Sequence, residues 1–219
     1  LSPLWLATAL VVTLTIVHCR SHASSGGAQT FLTLMKIVLI LGFSALALST
    51  ASPQHEMTFV PVEGDDKLLL GSAFAVSLIY VNYAYSGWNA ATYISGELER
   101  PQRQLPLVLM GSTLVVMLSY LLLNYVFLSV APAHAMAGKV EIGYVAAQYA
   151  FGTSGANIMG VLLALLLIST VSAMVLAGPR VLHAIGEDFV LFRALAQRNA
   201  DGIPVRAIVL QSVVCLLFL

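Results

Sequence analysis

The chain has 219 residues, of which 59% are hydrophobic and only 9% charged, and its formal net charge is zero. A soluble domain carries about 25% charged residues, so this composition excludes a soluble enzyme and indicates an integral membrane protein. Zero net charge gives no reason to expect a nucleic-acid partner. Cys19 and Cys215 lie at or within apolar stretches and are interpreted as small apolar residues rather than as a disulfide. The histidines are scattered without metal-ligand spacing, so neither a metal nor a cofactor is expected.

Long apolar stretches predict membrane-spanning helices, because a span needs about 20 apolar residues. Five complete candidates and one incomplete candidate are predicted, at residues 4–18, 30–48, 68–95, 107–130, 156–178 and 205–219. A short interfacial helix is predicted over residues 140–151, and a Ser/Gly-rich loop over residues 21–27. Since apolar runs reach both ends of the sequence, we expect a single transmembrane domain that is incomplete at both ends.

Basic residues are unevenly distributed between the two sides of the predicted bundle. With alternating spans, eight fall on one side: Arg20, Lys36, Arg100, Arg103, Arg180, Arg193, Arg198 and Arg206. Only Lys67 and Lys139 fall on the other side. The positive-inside rule therefore predicts that the Arg-rich loops are cytoplasmic.

The third predicted span contains a polar cluster that a lipid-facing helix would not carry. Its centre reads Asn82-Tyr83-Ala84-Tyr85-Ser86-Gly87-Trp88-Asn89. Polar groups at bilayer depth normally face a cavity, another helix or a substrate. As one helix, a span of about 28 residues would measure roughly 42 Å, against a core of about 30 Å. Either a tilted continuous helix fits, or two half-helices joined by an unwound stretch at residues 84–87 whose free carbonyls attract an ammonium group.

This stretch and the loop after it resemble the sixth transmembrane helix and following loop of the amino acid–polyamine–organocation (APC) superfamily of permeases. The family pattern is an aromatic, a small residue, Tyr, a variable residue and Gly-Trp-Asn, matched by residues 83–89, and then a Glu and prolines, matched by Glu97, Pro101 and Pro106. Residues 18–36 and 169–206 are similar to other parts of the family in the expected order. The resemblance is greatest to bacterial amino acid permeases akin to L-type transporters, over helices four to nine of about twelve.

The resemblance implies an all-α membrane bundle, part of an inverted-repeat transporter fold with a broken central helix. It implies secondary transport of amino acids by alternating access in the bacterial inner membrane, and no enzymatic activity. The implied partners are an amino acid substrate, the lipid bilayer and further helices of the same polypeptide. The implied substrate contacts are Tyr83, Ala84, Tyr85, Ser86, Gly87 and Asn89. Tyr83 is the implied aromatic gate and Glu97 an inner gate residue, while Phe189 stands where the family usually has Gly.

Lys36 lies inside the second predicted span, where a central charge costs about 2.5–3.5 kcal/mol. From the residues alone, its ammonium group could either snorkel to the interface or face the bundle. The resemblance implies that a Lys here replaces the sodium ion of sodium-dependent members, with Ser169, Thr170 and Ser172 as neighbours. Because burial disfavours a charged amine, Lys36 could exchange a proton during transport, giving proton coupling or exchange.

Alternative functions are weighed against this prediction. A polyamine or organic-cation permease of the same fold would be favoured by an acidic residue in the third span, but residues 68–95 contain none. A non-transporting fragment is the second alternative. A third is a rhomboid-type intramembrane protease, since residues 152–155 read Gly-Thr-Ser-Gly. About 43 Å of helix would separate Ser154 from His183, however, which rules out a catalytic pair.

Overall fold

The structure is a computed structural model that describes residues 2–20, 22–50, 60, 63–93 and 95–219, with the backbone alone described for residues 22–25 and 97. Within these ranges the chain is helical and contains no strand. This confirms the predicted all-α class. The predicted gate residue Glu97 has its side chain outside the described part.

The first two helices are α1, Pro3–Arg20, and α2, His22–Thr50. α2 includes residues 22–27, which the composition predicted as part of a Ser/Gly-rich loop. The prediction was wrong there because hydropathy indicates where a helix leaves lipid, and a helix can extend beyond that point.

The third predicted span is divided into short helices. They are α3, Asp65–Leu69, α4, Ser72–Ala84, and α5, Ala90–Tyr93, followed by a 3₁₀ turn over Ser95–Glu97. Residues 85–89 form a turn between α4 and α5. Of the two alternatives predicted for this span, a continuous helix and a broken one, the structure shows the broken helix.

Two long helices follow, α6, Pro101–Val130, and α8, Ile142–Asp188, with the short α7, Ala133–Met136, between them. A 3₁₀ helix over Val190–Ala196 then precedes α9, Val205–Leu217. Gly152 has non-helical dihedral angles, φ 69° and ψ −168°, and divides α8 into two helical segments. The first segment covers the region predicted as an interfacial helix.

Pro179 lies inside the second segment of α8 and removes one amide donor from the backbone. Side chains supply donors to the carbonyls nearby. The Gln211 amide of α9 donates to the Met174 carbonyl at 3.2 Å, and the Arg180 guanidinium donates to the Leu176 carbonyl. This part of α8 is therefore hydrogen-bonded partly through side chains, one of which belongs to another helix.

Among the described residues, four helices are long and apolar enough to cross a membrane: Pro3–Arg20, Gly26–Thr50, Pro101–Val130 and Ile142–Asp188. α4 and α9 are shorter apolar helices. Such a chain is a multi-pass membrane protein.

The chain forms two compact units. The first comprises residues 1–41, 92–99 and 160–219, and its buried core centres on Val175, Ile203 and Ile208. The second comprises residues 42–91 and 100–159. Its core centres on Phe43, whose ring centroid lies 6.1 Å from those of both Phe127 and Phe151.

Candidate functional site

The break after α4 is the structural centre of the polar cluster. The Tyr85 amide donates to the carbonyls of Val81 and Asn82, and the Ser86 amide donates to the Tyr83 carbonyl. These bonds close the last turn of α4 tightly. On the far side, the Ala90 amide donates to the Gly87 carbonyl, which begins the next helical turn. The helical series of backbone hydrogen bonds is therefore interrupted between these two turns.

Gly87 has the backbone conformation that allows this break. Its φ is 96°, a value that L-residues with a side chain rarely adopt. A Cβ added there would meet no atom within 4 Å, so the constraint is conformational rather than steric. A residue other than Gly would be strained by about 1–2 kcal/mol in this left-handed region.

Tyr120 of α6 holds the end of α4. Its hydroxyl donates to the Ala84 carbonyl at 3.1 Å, and its ring contacts Tyr85 edge-on with centroids 5.2 Å apart. The last carbonyls of a helix lack amide partners within that helix, so a side-chain donor satisfies one of them here. Sequence reasoning missed Tyr120, because a tyrosine in an apolar span is indistinguishable from a core aromatic until its partner is known.

The predicted contact residues at the break form an open face of the second unit. Tyr83 is 78% exposed, and Ser86 and Gly87 are also exposed. Tyr85 and Asn89 are half-buried, and Asn89 has an interaction partner. Tyr83 as a gate stays a prediction, as does the gating role of Glu97.

Lys36 contacts one of the three hydroxyl residues predicted to surround it. Its Nζ donates to Thr170 Oγ1 at 3.1 Å, and that hydroxyl donates to the Leu166 carbonyl of its own helix. The hydroxyl hydrogen is thus directed away from Lys36, which leaves an oxygen lone pair for the ammonium group. This contact between α2 and α8 supports the reading in which Lys36 faces the bundle.

The other two hydroxyls have different environments. Ser172 Oγ lies 2.9 Å from Nε2 of His18 on α1. Ser169 is fully buried, and its Oγ has no hydrogen-bond partner among the described residues. Of the three predicted neighbours, Thr170 is therefore the one hydrogen-bonded to Lys36. The sequence analysis did not predict His18 as the partner of Ser172.

His183 forms hydrogen bonds with the loop that follows α8. Its Nε2 accepts a hydrogen bond from Arg198 Nε at 2.8 Å, which leaves the ring hydrogen on Nδ1, 3.3 Å from the Leu195 carbonyl. Glu187 Oε1 lies 3.3 Å from Nε2. Both ring nitrogens have local partners, which argues further against a catalytic pair with Ser154.

Broken helices in multi-pass membrane proteins are typical of secondary transporters. A family model described as "Amino acid permease" matches residues 2–219. The chain belongs to this amino acid permease family, within the APC superfamily.

Known relatives of this chain are bacterial, plant and animal transport proteins. The branched-chain amino acid permease BcaP of Lactococcus lactis subsp. cremoris is 25% identical over 197 residues, which cover 88% of this chain and 42% of that protein. The serine/threonine exchanger SteT of Bacillus subtilis is 26% identical over 178 residues, covering 81% of this chain and 39% of that protein. The human b(0,+)-type amino acid transporter 1 is 28% identical over 130 residues, covering 58% and 26% respectively. The chain spans about two fifths of the length of the first two relatives.

Proposed function

We propose that the chain is the part of an amino acid permease that contributes the broken helix of the substrate site. The observation that carries the proposal is the interruption of the third span at residues 85–89, with Gly87 at φ 96°. In this proposal the carbonyl end of α4 receives the substrate ammonium group, because helix C-termini attract cations. Tyr83 covers the bound substrate, and Ser86 and Asn89 contribute polar contacts.

The proposed substrate is a neutral amino acid. The described part of the span from Leu68 to Ser95 has no acidic side chain that would pair with a second positive charge on a polyamine or an organic cation. Two relatives named for neutral amino acids, a branched-chain permease and a serine/threonine exchanger, support this proposal, while two cationic amino acid transporters of Arabidopsis thaliana make arginine the necessary comparison substrate.

The proposed mechanism is secondary transport by alternating access, without sodium and with no chemical conversion of the substrate. Lys36 replaces a bound cation in this mechanism. Its hydrogen bond to Thr170 links α2 to α8, and loss of a proton would weaken that link, because the neutral amine donates a weaker hydrogen bond than the ammonium group. In this proposal transport is either coupled to a proton, which Lys36 would exchange, or proceeds by exchange of one amino acid for another. The proposed location is the bacterial inner membrane with the Arg-rich loops in the cytoplasm.

The test is uptake by the whole permease in proteoliposomes. Labelled neutral amino acids, arginine and a polyamine would be compared at two pH values, with and without sodium. We expect saturable uptake or exchange of a neutral amino acid that is unaffected by replacing sodium with choline. Uptake of the polyamine alone would instead favour the organic-cation alternative, and no saturable transport of any substrate would reject the proposal.

A further inference from the structure

His18 is a buried polar residue to which the proposed transport mechanism gives no role. It lies in the last turns of α1 with only 2% of its surface exposed. Its partner Ser172, at 2.9 Å, is 1% exposed. A hydrogen bond enclosed so completely is not exchanged with water, so it specifies how the two helices meet.

Ser172 and Thr170 place two interhelical contacts on different sides of α8. Thr170 and Ser172 are two positions apart on the helix, which places them about 200° apart around its axis. Thr170 contacts Lys36 of α2, and Ser172 contacts His18 of α1. α8 is thus held from two nearly opposite sides, and fixing one contact fixes the direction of the other.

Apolar packing alone would not fix this orientation. Residues 161–168 of α8 read Val-Leu-Leu-Ala-Leu-Leu-Leu-Ile and present similar apolar side chains in every direction. Within a bilayer the lipid tails are as apolar as these side chains, so the hydrophobic effect does not distinguish one rotation from another. Interhelical hydrogen bonds then carry much of the specificity.

We propose that His18 is a positioning residue that sets the rotation of α8 and thereby holds Thr170 against Lys36. The importance of this contact for transport rests on the proposed function, whereas the rotation of α8 is a property of the fold alone. His18 touches neither Lys36 nor substrate in this proposal, and its effect passes through Ser172.

The rotation is measured by labelling Ser169→Cys with a small, membrane-permeant thiol reagent. Ser169 is fully buried in the observed orientation, so its cysteine variant should react slowly. The whole permease in liposomes would carry Cys19→Ala, Cys215→Ala and alanine at any cysteine outside this chain, so that the introduced thiol is the one followed. Met174→Cys, at a position 62% exposed, gives the rate for an accessible site on the same helix.

Removing the imidazole should expose the buried position. His18→Phe should raise the labelling rate of Ser169→Cys about three- to tenfold, as expected for losing one interhelical hydrogen bond. His18→Gln, whose amide reaches about as far as Nε2, should restore slow labelling. Ser172→Ala removes the same bond from the other side and should act like His18→Phe, which keeps the test open if one variant does not fold.

Thr15→Val is the matched control on α1. The Thr15 hydroxyl lies 2.7 Å from Ser212 Oγ of α9, so this variant also removes an interhelical hydrogen bond of α1, but one that does not involve α8. Slow labelling in Thr15→Val beside fast labelling in His18→Phe supports the proposal. Equal acceleration in both, or no acceleration in His18→Phe and Ser172→Ala, overturns it.

Transport measurements separate this proposal from the proposed function. If His18 acts through Thr170, then His18→Phe and Thr170→Val should shift the pH profile of uptake in the same way, and the double variant should match either single variant. Additive effects contradict the proposal. If the parent permease transports nothing, the proposed function fails, but the labelling rates still decide whether His18 sets the rotation of α8.

Discussion

The Tyr120 hydroxyl donates a hydrogen bond to the Ala84 carbonyl at 3.1 Å, at the residue where α4 ends. The carbonyl end of a broken helix is therefore oriented by a side chain from α6, and the ring of the same tyrosine packs against Tyr85. This links the proposed ammonium-binding carbonyls to a helix outside the broken span.

Tyr120→Phe should weaken substrate binding while leaving the fold intact. The ring contact with Tyr85 remains, but the Ala84 carbonyl loses the donor that orients it. We expect KM to rise about fivefold, corresponding to about 1 kcal/mol for one hydrogen bond, with little change in maximal rate. Uptake kinetics in proteoliposomes measure both. Tyr80→Phe, at an exposed position on α4, is the control, and an equal rise in KM there would remove the specific role of Tyr120.

Gly87→Ala should reduce transport strongly, because the turn requires a φ of 96° at this position and alanine adopts that left-handed conformation only at a cost of about 1–2 kcal/mol. Gly111→Ala is the matched control. Gly111 lies inside α6, and a Cβ there also meets no atom within 4 Å, so Ala should be tolerated and should stabilise the helix by about 0.5–1 kcal/mol. Uptake and thermal unfolding of both variants are the measurements. Normal transport by Gly87→Ala would show that this conformation is not needed.

Lys36→Gln should remove the pH dependence of transport, since the amide cannot release a proton. Thr170→Val keeps the shape of the side chain but removes the oxygen that accepts from Lys36 Nζ, and should alter the pH profile without abolishing uptake. Thr33→Val is the control, because the Thr33 hydroxyl donates to the Gln29 carbonyl within α2. The measurement is uptake across a pH series. An unchanged pH profile in Lys36→Gln would refute a coupling role for Lys36.

The orientation in the membrane predicts opposite labelling of two exposed loop positions. Ala200 follows α8 and Lys139 precedes it. The positive-inside rule predicts that Ala200 is cytoplasmic and that Lys139 is on the opposite side of the membrane. In intact cells producing the whole permease with every native cysteine replaced by alanine, Lys139→Cys should react with a membrane-impermeant maleimide, and Ala200→Cys should react only after the cells are permeabilised. The reverse pattern would mean that the positive-inside assignment is wrong.

The sequence predicts the broken helix well because the signal is local. A glycine, clustered polar side chains and a span longer than the bilayer all lie within the same 28 or so residues, and the structure interrupts the helix there. The sequence also allowed Thr170 to be predicted as a neighbour of Lys36, because an ammonium group inside a membrane needs a polar partner such as a hydroxyl on a facing helix.

The partners of His18 and Tyr120 could not be predicted in this way. Their bonds join residues far apart in sequence, His18 to Ser172 and Tyr120 to Ala84, and depend on how each helix is rotated about its axis. Apolar periodicity does not determine that rotation when a helix is apolar on every side. The extension of α2 through residues 22–27 was missed for a different reason, because composition marks the lipid boundary rather than the helix end.

The hydrogen bonds around Pro179 have a mechanical consequence for the C-terminal part of α8. The Gln211 amide of α9 bonds to the backbone of α8 at Met174, and the space beside Gly178 is filled by the same amide, since a Cβ there would lie 2.3 Å from Gln211 Oε1. A bend of α8 at this point cannot occur independently of α9 without breaking that bond. We therefore expect the C-terminal part of α8 and α9 to move together. A movement of either helix would then also displace the loop that joins them.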